Sequence, residues 1–265
     1  MDFIDLEHAR RLELCHAMRS YHYALAQARL QPDSRAQVLH IGGGAAVYAG
    51  PESPLNRAIG LGLNGEVEDD LVVQVEAFFD DCGAQPSFDV CPLTDRSLLA
   101  LLQRRSYGLV KFHNVLACRL PAPTEPGPAQ IQVRPADPGD AQTWIHTTAA
   151  GFDPSGAATV EEIEMVAPNF HAANALPYLA LIDGQPAGGG AMYLHEGTVE
   201  LGGASTRPQY RRRGVQTALI HRRLDDAYAQ GVDLAMVLTR PGSDSQRNLG
   251  RLGFRLAYSK AILVR

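Results

Sequence analysis

The stretch that decides the fold reads Thr198-Val-Glu-Leu-Gly-Gly-Ala-Ser-Thr-Arg-Pro-Gln-Tyr-Arg-Arg-Arg-Gly-Val-Gln-Thr-Ala-Leu-Ile220. A strand pattern over 198–204 gives way to a tight turn rich in arginine and glycine, and helix periodicity starts at once with Val215. A helix N-terminus leaves N–H groups unpaired and carries partial positive charge, so it is a ready site for a diphosphate. Gly214 lets a backbone approach such a ligand closely, and Arg211, Arg212 and Arg213 add charge around it. On composition alone the same residues also read as a solvated basic turn at the head of an ordinary helix.

Outward from this loop, strand and helix signals alternate. Upstream lie a strand at 131–135 and a helix over 138–150, with Asp137 before Pro138 as its N-cap. A second helical stretch follows at 160–166, then an apolar strand at 178–182 and the hairpin turn Asp183-Gly184. Another strand is expected around 191–193. Downstream come a helix over 215–230, an apolar strand at 234–238, a helix over 245–252 and strands at 254–256 and 261–264. Such alternation gives an α/β or α+β fold with helices packed on a sheet.

The loop and its setting resemble the GNAT superfamily of N-acetyltransferases. That family's loop reads Arg/Gln-x-x-Gly-x-Gly/Ala between a strand and a helix. Arg211 and Gly214 match its first two fixed positions, and Gln216 stands where the third is small. Pro208 corresponds to the upstream proline, and Arg251-Leu-Gly253-Phe254 resembles the closing Gly-Phe element. The resemblance covers about 131–265 and implies a domain that takes acetyl-CoA as co-substrate and acetylates an amine by direct transfer, without a metal. It places the pyrophosphate on the backbone of Arg211, Arg212, Arg213, Gly214, Val215 and Gln216, and the pantetheine amides along Ala204, Ser205 and Thr206.

Acyl transfer to an amine needs a base for the amine proton and, in some enzymes, an acid for the departing thiolate. Glu200, fourteen residues before Gly214, is the expected base. A similarly placed glutamate serves so in the histone-acetyltransferase branch of the family. Many members carry the thiolate acid as a tyrosine four residues before the Gly of Gly-Phe. That position is Leu249 here, and a leucine can donate no proton. Either Tyr258, Ser245 or water supplies it, or the thiolate leaves without help. Ser245 and Asn248 are also expected to touch the cofactor.

The run from Pro121 to Pro128 holds four prolines and reads as a linker at 121–130, between lobes at 1–120 and 131–265. The ends of the two halves share one layout of strand, short helix and closing strand, with Tyr107 and Phe254 standing 147 residues apart. The expected architecture is thus two GNAT-like lobes, each a mixed, mostly antiparallel sheet flanked by helices. The first opens with an amphipathic helix over 6–30. At the same offset the pyrophosphate loop falls on Asn64-Gly-Glu-Val-Glu-Asp69, whose three carboxylates would repel a diphosphate. The first lobe is therefore expected to be degenerate, structural or acceptor-shaping.

Composition bounds the rest. The 265 residues are 45% hydrophobic and 20% charged, with a net charge of -5, which argues against a general nucleic-acid binder. The four cysteines show no metal-ligand spacing, and no apolar run is long enough to span a bilayer. The expectation is a cytoplasmic enzyme acting on a small-molecule amine, with no nucleic-acid or membrane partner. The alternative is a non-catalytic acyl-CoA-binding or regulatory protein, and the sequence leaves the oligomeric state open.

Overall fold

A computed structural model of the chain describes residues 4–122 and 130–265. Most of the proline-rich segment 121–130 lies outside the described residues. In chain order the elements are α1 (Leu6–Leu30), β1 (Gln37–Ile41), β2 (Gly44–Tyr48), β3 (Arg57–Ile59), α2 (Asp69–Asp81), β4 (Ser87–Val90), α3 (Arg96–Arg104), β5 (Gly108–Arg119), β6 (Ile131–Pro135), α4 (Ala141–Phe152), α5 (Val160–His171), β7 (Ala175–Ile182), β8 (Gln185–His195), β9 (Thr198–Thr206), α6 (Val215–Ala229), β10 (Leu234–Thr239), α7 (Asp244–Arg251) and β11 (Arg255–Val264). One order of elements occurs twice: β1-β2-β3-α2-β4-α3-β5 and β7-β8-β9-α6-β10-α7-β11.

The chain divides into two compact units, and the division does not follow the proline-rich segment alone. The first holds Met1–Ala117, Leu238–Gly250 and Phe254–Arg265; the second holds Cys118–Val237 and Arg251–Gly253. The last helix and strand, contiguous in sequence with the second half, thus pack with the first. β11 pairs antiparallel with β4 and with β5, at Ile262↔Asp89 and Ser259↔Asn114. The expected strands at 254–256 and 261–264 are one strand, carried through register shifts after Leu256 and Ile262.

In the first unit the strands run in the order β1-β2-β3-β4-β11-β5, mostly antiparallel with β3 and β4 parallel. Strand β2 is buried on both faces, and alternation divides its side chains. Ala46 joins Val72, Val75 and Phe79 of α2 and Leu98 and Leu102 of α3. Ala45 and Val47 face Ala17, Tyr23 and Ala24 of α1. Asp5 caps α1 through a bond from the His8 N–H at 2.9 Å.

In the second unit the order is β10-β9-β8-β7-β6, antiparallel except for β9 with β10. Positive φ at Asp183 and Gly184 makes the tight turn between β7 and β8. The helix expected at 138–150 begins as a 3-10 turn, Pro138–Asp140, where Asp137 and Asp140 form a capping box. Helix α4 then lays Trp144, Ile145 and Ala149 on Leu179, Ala191 and Tyr193. The Trp144 indole N–H donates to the Tyr178 carbonyl at 2.9 Å. All four cysteines are buried and none is in a disulfide, and no helix is long and apolar enough to cross a membrane among the described residues.

Candidate functional site

Strand β9 delivers the chain into a 3-10 turn, Pro208–Tyr210, and two residues then turn left-handed, Arg212 at φ 59° and Gly214 at φ 90°. Gly214 is the N-cap of α6 and offers no side chain to its first-turn N–H groups. The helix dipole stands behind them, which suits an anionic acceptor at this end of α6. Arg211 holds the turn together. Its Nη2 donates to the Gly151 carbonyl at 3.0 Å and its Nε to the Thr206 carbonyl at 3.3 Å. Arg212 and Arg213 are exposed, and the Arg213 guanidinium lies 5.7 Å from the Tyr210 ring centroid. Val215 is buried and anchors the helix start, while Gln216 faces outward.

Strand β9 leads to this turn with one side open. Its parallel ladder with β10 has the pairs Thr198↔Leu234, Val199↔Ala235 and Glu200↔Met236, yet β9 continues to Thr206. On its other side β9 stays paired with β8 as far as Thr206↔Gly188. Backbone groups of the stretch holding Ala204, Ser205 and Thr206 thus lie beyond the β10 ladder, and an extended ligand with amide groups has a template there. The Ser205 hydroxyl donates to the Thr148 carbonyl at 2.6 Å, which ties this stretch to α4.

Three consecutive glycines in β8 make the close packing possible. A Cβ on Gly188 would lie 2.7 Å from the Ser205 carbonyl oxygen, and one on Gly189 would lie 2.2 Å from Thr148 Oγ1. One on Gly190 would lie 3.0 Å from Arg223 Nη1. Sequence reading passed over this run, although three glycines inside a strand signal close approach of other groups.

Glu200 is 0% exposed and stands across from Tyr193 on one side and Met236 on the other. Paired neighbours share a sheet face, so Glu200 is on the face of Tyr193, which packs against α4. The Tyr193 hydroxyl donates to Asn169 Oδ1 of α5 at 2.7 Å.

The other expected site residues, Ser245, Asn248 and Tyr258, fall in the first unit. Ser245 and Asn248 lie one turn apart on α7. Gln246 fixes the head of that helix by accepting from the Gly242 N–H at 2.8 Å and from Asn114 Nδ2 at 3.2 Å. Tyr258 does not stand as a free proton donor. Its buried hydroxyl donates to Glu13 Oε1 at 2.8 Å, and burial, then the Glu13 charge, raise its pKa well above the usual phenol range. Beside it Lys260, 0% exposed, reaches Glu13 Oε2 at 2.9 Å and Asp89 Oδ2 at 3.1 Å. Burial alone would raise the Asp89 pKa, but Lys260, Arg57 and His16 together hold it down to about 2. The network ties β11 to α1 and β4 through Lys260, which two carboxylates buried in the first unit share.

At the 147-residue offset the 211–216 turn falls on 64–69, and the chain just before that segment is tied down through its carbonyls. Thr94 Oγ1 donates to the Leu61 carbonyl at 2.7 Å, the Asp95 N–H to the Gly62 carbonyl at 2.7 Å, and Arg10 Nε to the Leu63 carbonyl at 2.7 Å. The Val67 N–H donates to Ser97 Oγ at 2.7 Å. Among the described residues no group of histidine, cysteine or carboxylate side chains is placed to hold a metal ion.

A helix N-terminus without a side-chain cap after a left-handed glycine, beside a strand that runs on past its ladder, is an arrangement suited to a phosphate group and an extended amide chain. Residues 143–254 match the Acetyltransferase (GNAT) family. That match covers 112 of the 265 residues, all in the second half of the chain. Among solved structures it shares its fold with a GCN5-related N-acetyltransferase from Kribbella flavida, at 18% identity and TM-score 0.63 over 91% of this chain and 94% of that one. A GCN5-related N-acetyltransferase from Sphaerobacter thermophilus aligns at 20% identity and TM-score 0.56, over 87% and 75% of the two chains. A tandem GNAT protein from the clavulanic acid biosynthesis pathway aligns at 11% identity and TM-score 0.54, over 84% and 73%. No curated protein matches the sequence.

Proposed function

We propose that the second unit transfers an acetyl group from acetyl-CoA directly to the amine of a small-molecule acceptor. The observation that carries this reading is the uncapped start of α6 behind left-handed Gly214, with the open edge of β9 leading up to it. The diphosphate sits on the N–H groups at 211–216, and the pantetheine arm runs along Ala204, Ser205 and Thr206 toward Glu200. The amine nitrogen attacks the thioester carbonyl, its proton passes to Glu200, the C–N bond forms, and the C–S bond breaks. CoA leaves as a thiolate and takes its proton from water, because Leu249 has none to give and the Tyr258 hydroxyl is committed to Glu13. The first unit is structural or acceptor-shaping without a second donor site, since Glu66, Glu68 and Asp69 would repel a diphosphate at the matching position.

Calorimetry is expected to find one acetyl-CoA per chain, and a mass-spectrometric amine screen to find an acetylated product. Failure to bind at millimolar acetyl-CoA rejects the donor site. A specific feature favours a second reading, a non-catalytic acyl-CoA-binding or regulatory protein: Leu249 replaces the hydroxyl that many relatives offer the thiolate. Binding without turnover across a broad amine panel selects that reading.

A further inference from the structure

Arg223, on α6, is 1% exposed, and among the described residues no carboxylate contacts it. Its Nε donates to the Leu219 carbonyl at 2.8 Å within its own helix, and its Nη1 donates to the Ala191 carbonyl of β8 at 2.8 Å. Burial lowers its pKa to about 10, with Tyr193 and Tyr178 opposing the shift, so it remains a cation at neutral pH. Burying a guanidinium with only neutral partners carries a desolvation cost that an apolar side chain there would avoid. Such a group calls for a local reason.

The reason lies in the strand pair above it. The β8–β9 register passes from Gly189↔Ser205 to Ala191↔Gly202, so Gly190 alone stands against Gly203 and Ala204. Strand β9 is therefore bulged at Gly203, whose φ is 53°. Arg223 closes the bulge from one face. A Cβ on Gly190 would lie 3.0 Å from its Nη1, 3.1 Å from its Cζ and 3.0 Å from the Ala204 Cβ. The Tyr193–Asn169 pair closes the other face, 3.2 Å and 3.3 Å from the place a Gly203 Cβ would take. The bulge sits between Thr206, next to the diphosphate turn, and Glu200, on the stretch of β9 past its β10 ladder. A bulge there decides which β9 backbone groups face a ligand.

We infer that Arg223 is a positioning residue for acyl transfer: its guanidinium, held between Leu219 and Ala191, fixes the β9 bulge against which the donor's acyl end is aligned. This rests on the acetyl-CoA reading of the same strand edge. The role is one of geometry, acting through Gly190 and Ala191, and Arg223 itself touches neither substrate.

The test compares steady-state kinetics and thermal unfolding of the full chain with Arg223→Met, Arg223→Lys and Gly190→Ala, using acetyl-CoA and whichever amine the screen identifies. Arg223→Met is expected to lower kcat about tenfold to a hundredfold while KM for acetyl-CoA moves less than about threefold. Arg223→Lys, able to reach the Ala191 carbonyl, is expected to recover part of kcat. Gly190→Ala, which pushes on the same guanidinium, is expected to lower kcat in the same sense, and it decides the matter if Arg223→Met fails to fold. Unchanged kcat in a folded Arg223→Met or Gly190→Ala protein overturns the inference. So does a parallel loss of kcat, acetyl-CoA affinity and melting temperature with no recovery by lysine. If the unmodified chain neither binds nor turns over acetyl-CoA, the donor reading itself has failed.

Discussion

Replacing Lys260 by methionine removes the cation from the buried network of the first unit and keeps the side-chain volume close. Two carboxylates, Glu13 and Asp89, lose contacts of 2.9 and 3.1 Å. Neither is left wholly bare. Asp89 keeps Arg57 Nη1 at 3.4 Å, and Glu13 keeps the Tyr258 hydroxyl at 2.8 Å. Breaking a buried pair costs about 3–5 kcal/mol, so the remaining partners put this change near the low end, about 3 kcal/mol. With a urea m-value of about 2 kcal/mol/M, the unfolding midpoint of the first unit falls by about 1.5 M at pH 7. The pH dependence carries a second signature. The Asp89 carboxyl is held at about 2 against an ordinary 3.8. A lowered carboxyl stabilises the fold above pH 3.8 and loses that contribution as pH falls toward 2, an amount of about 2.5 kcal/mol. Without Lys260 its pKa rises, so the variant's deficit is largest at neutral pH and narrows below about pH 4. Adding Glu13→Gln to Lys260→Met removes one uncompensated charge and should restore part of the loss. Urea denaturation from pH 3 to pH 7 checks all three. A loss under about 1 kcal/mol at pH 7 with unchanged m, or a loss as large at pH 3 as at pH 7, refutes the reasoning.

Three further outcomes are expected. Glu200→Gln should lower turnover about a hundredfold or more while acetyl-CoA affinity changes little, and pH–rate profiles that superimpose on the unmodified chain reject Glu200 as base. Gly214→Trp should abolish acetyl-CoA binding by calorimetry, because a side chain at φ 90° costs about 1–2 kcal/mol and fills the approach to the α6 N–H groups; affinity within tenfold of normal would refute the placement. Gly189→Ala sets a Cβ 2.2 Å from Thr148 Oγ1 and 3.2 Å from Trp144 Nε1, and should destabilise the second unit by about 2–3 kcal/mol in urea melts. The same change at Gly184, where φ is 75° and nothing lies within 4 Å, should cost only about 1 kcal/mol, and equal costs at the two sites contradict the packing argument.

The elements themselves were legible in the sequence because their signals are local. Helix α1 occupies the span its periodicity predicts, Leu6–Leu30, and β6 the expected Ile131–Pro135. The arginine–glycine turn announced the start of α6, since a left-handed N-cap is a property of one glycine and its neighbours. The resemblance of that turn to the GNAT loop was likewise a matter of consecutive residues. Only tertiary structure decided where the last strand goes. Nothing near Tyr258 or Lys260 in sequence says that their partners are Glu13 and Asp89, more than 160 positions away. Separation in the chain carries no trace of that pairing, yet it turns an expected proton donor into part of a buried ionic network. The same holds for the bulge on β9: its glycines are visible in the sequence, but Arg223 beneath and Tyr193 above meet them only once α5 and α6 have packed on the sheet. Sequence determined the arginine–glycine turn, because it is built from neighbours; the fold decided which distant side chains are consumed in holding the protein together.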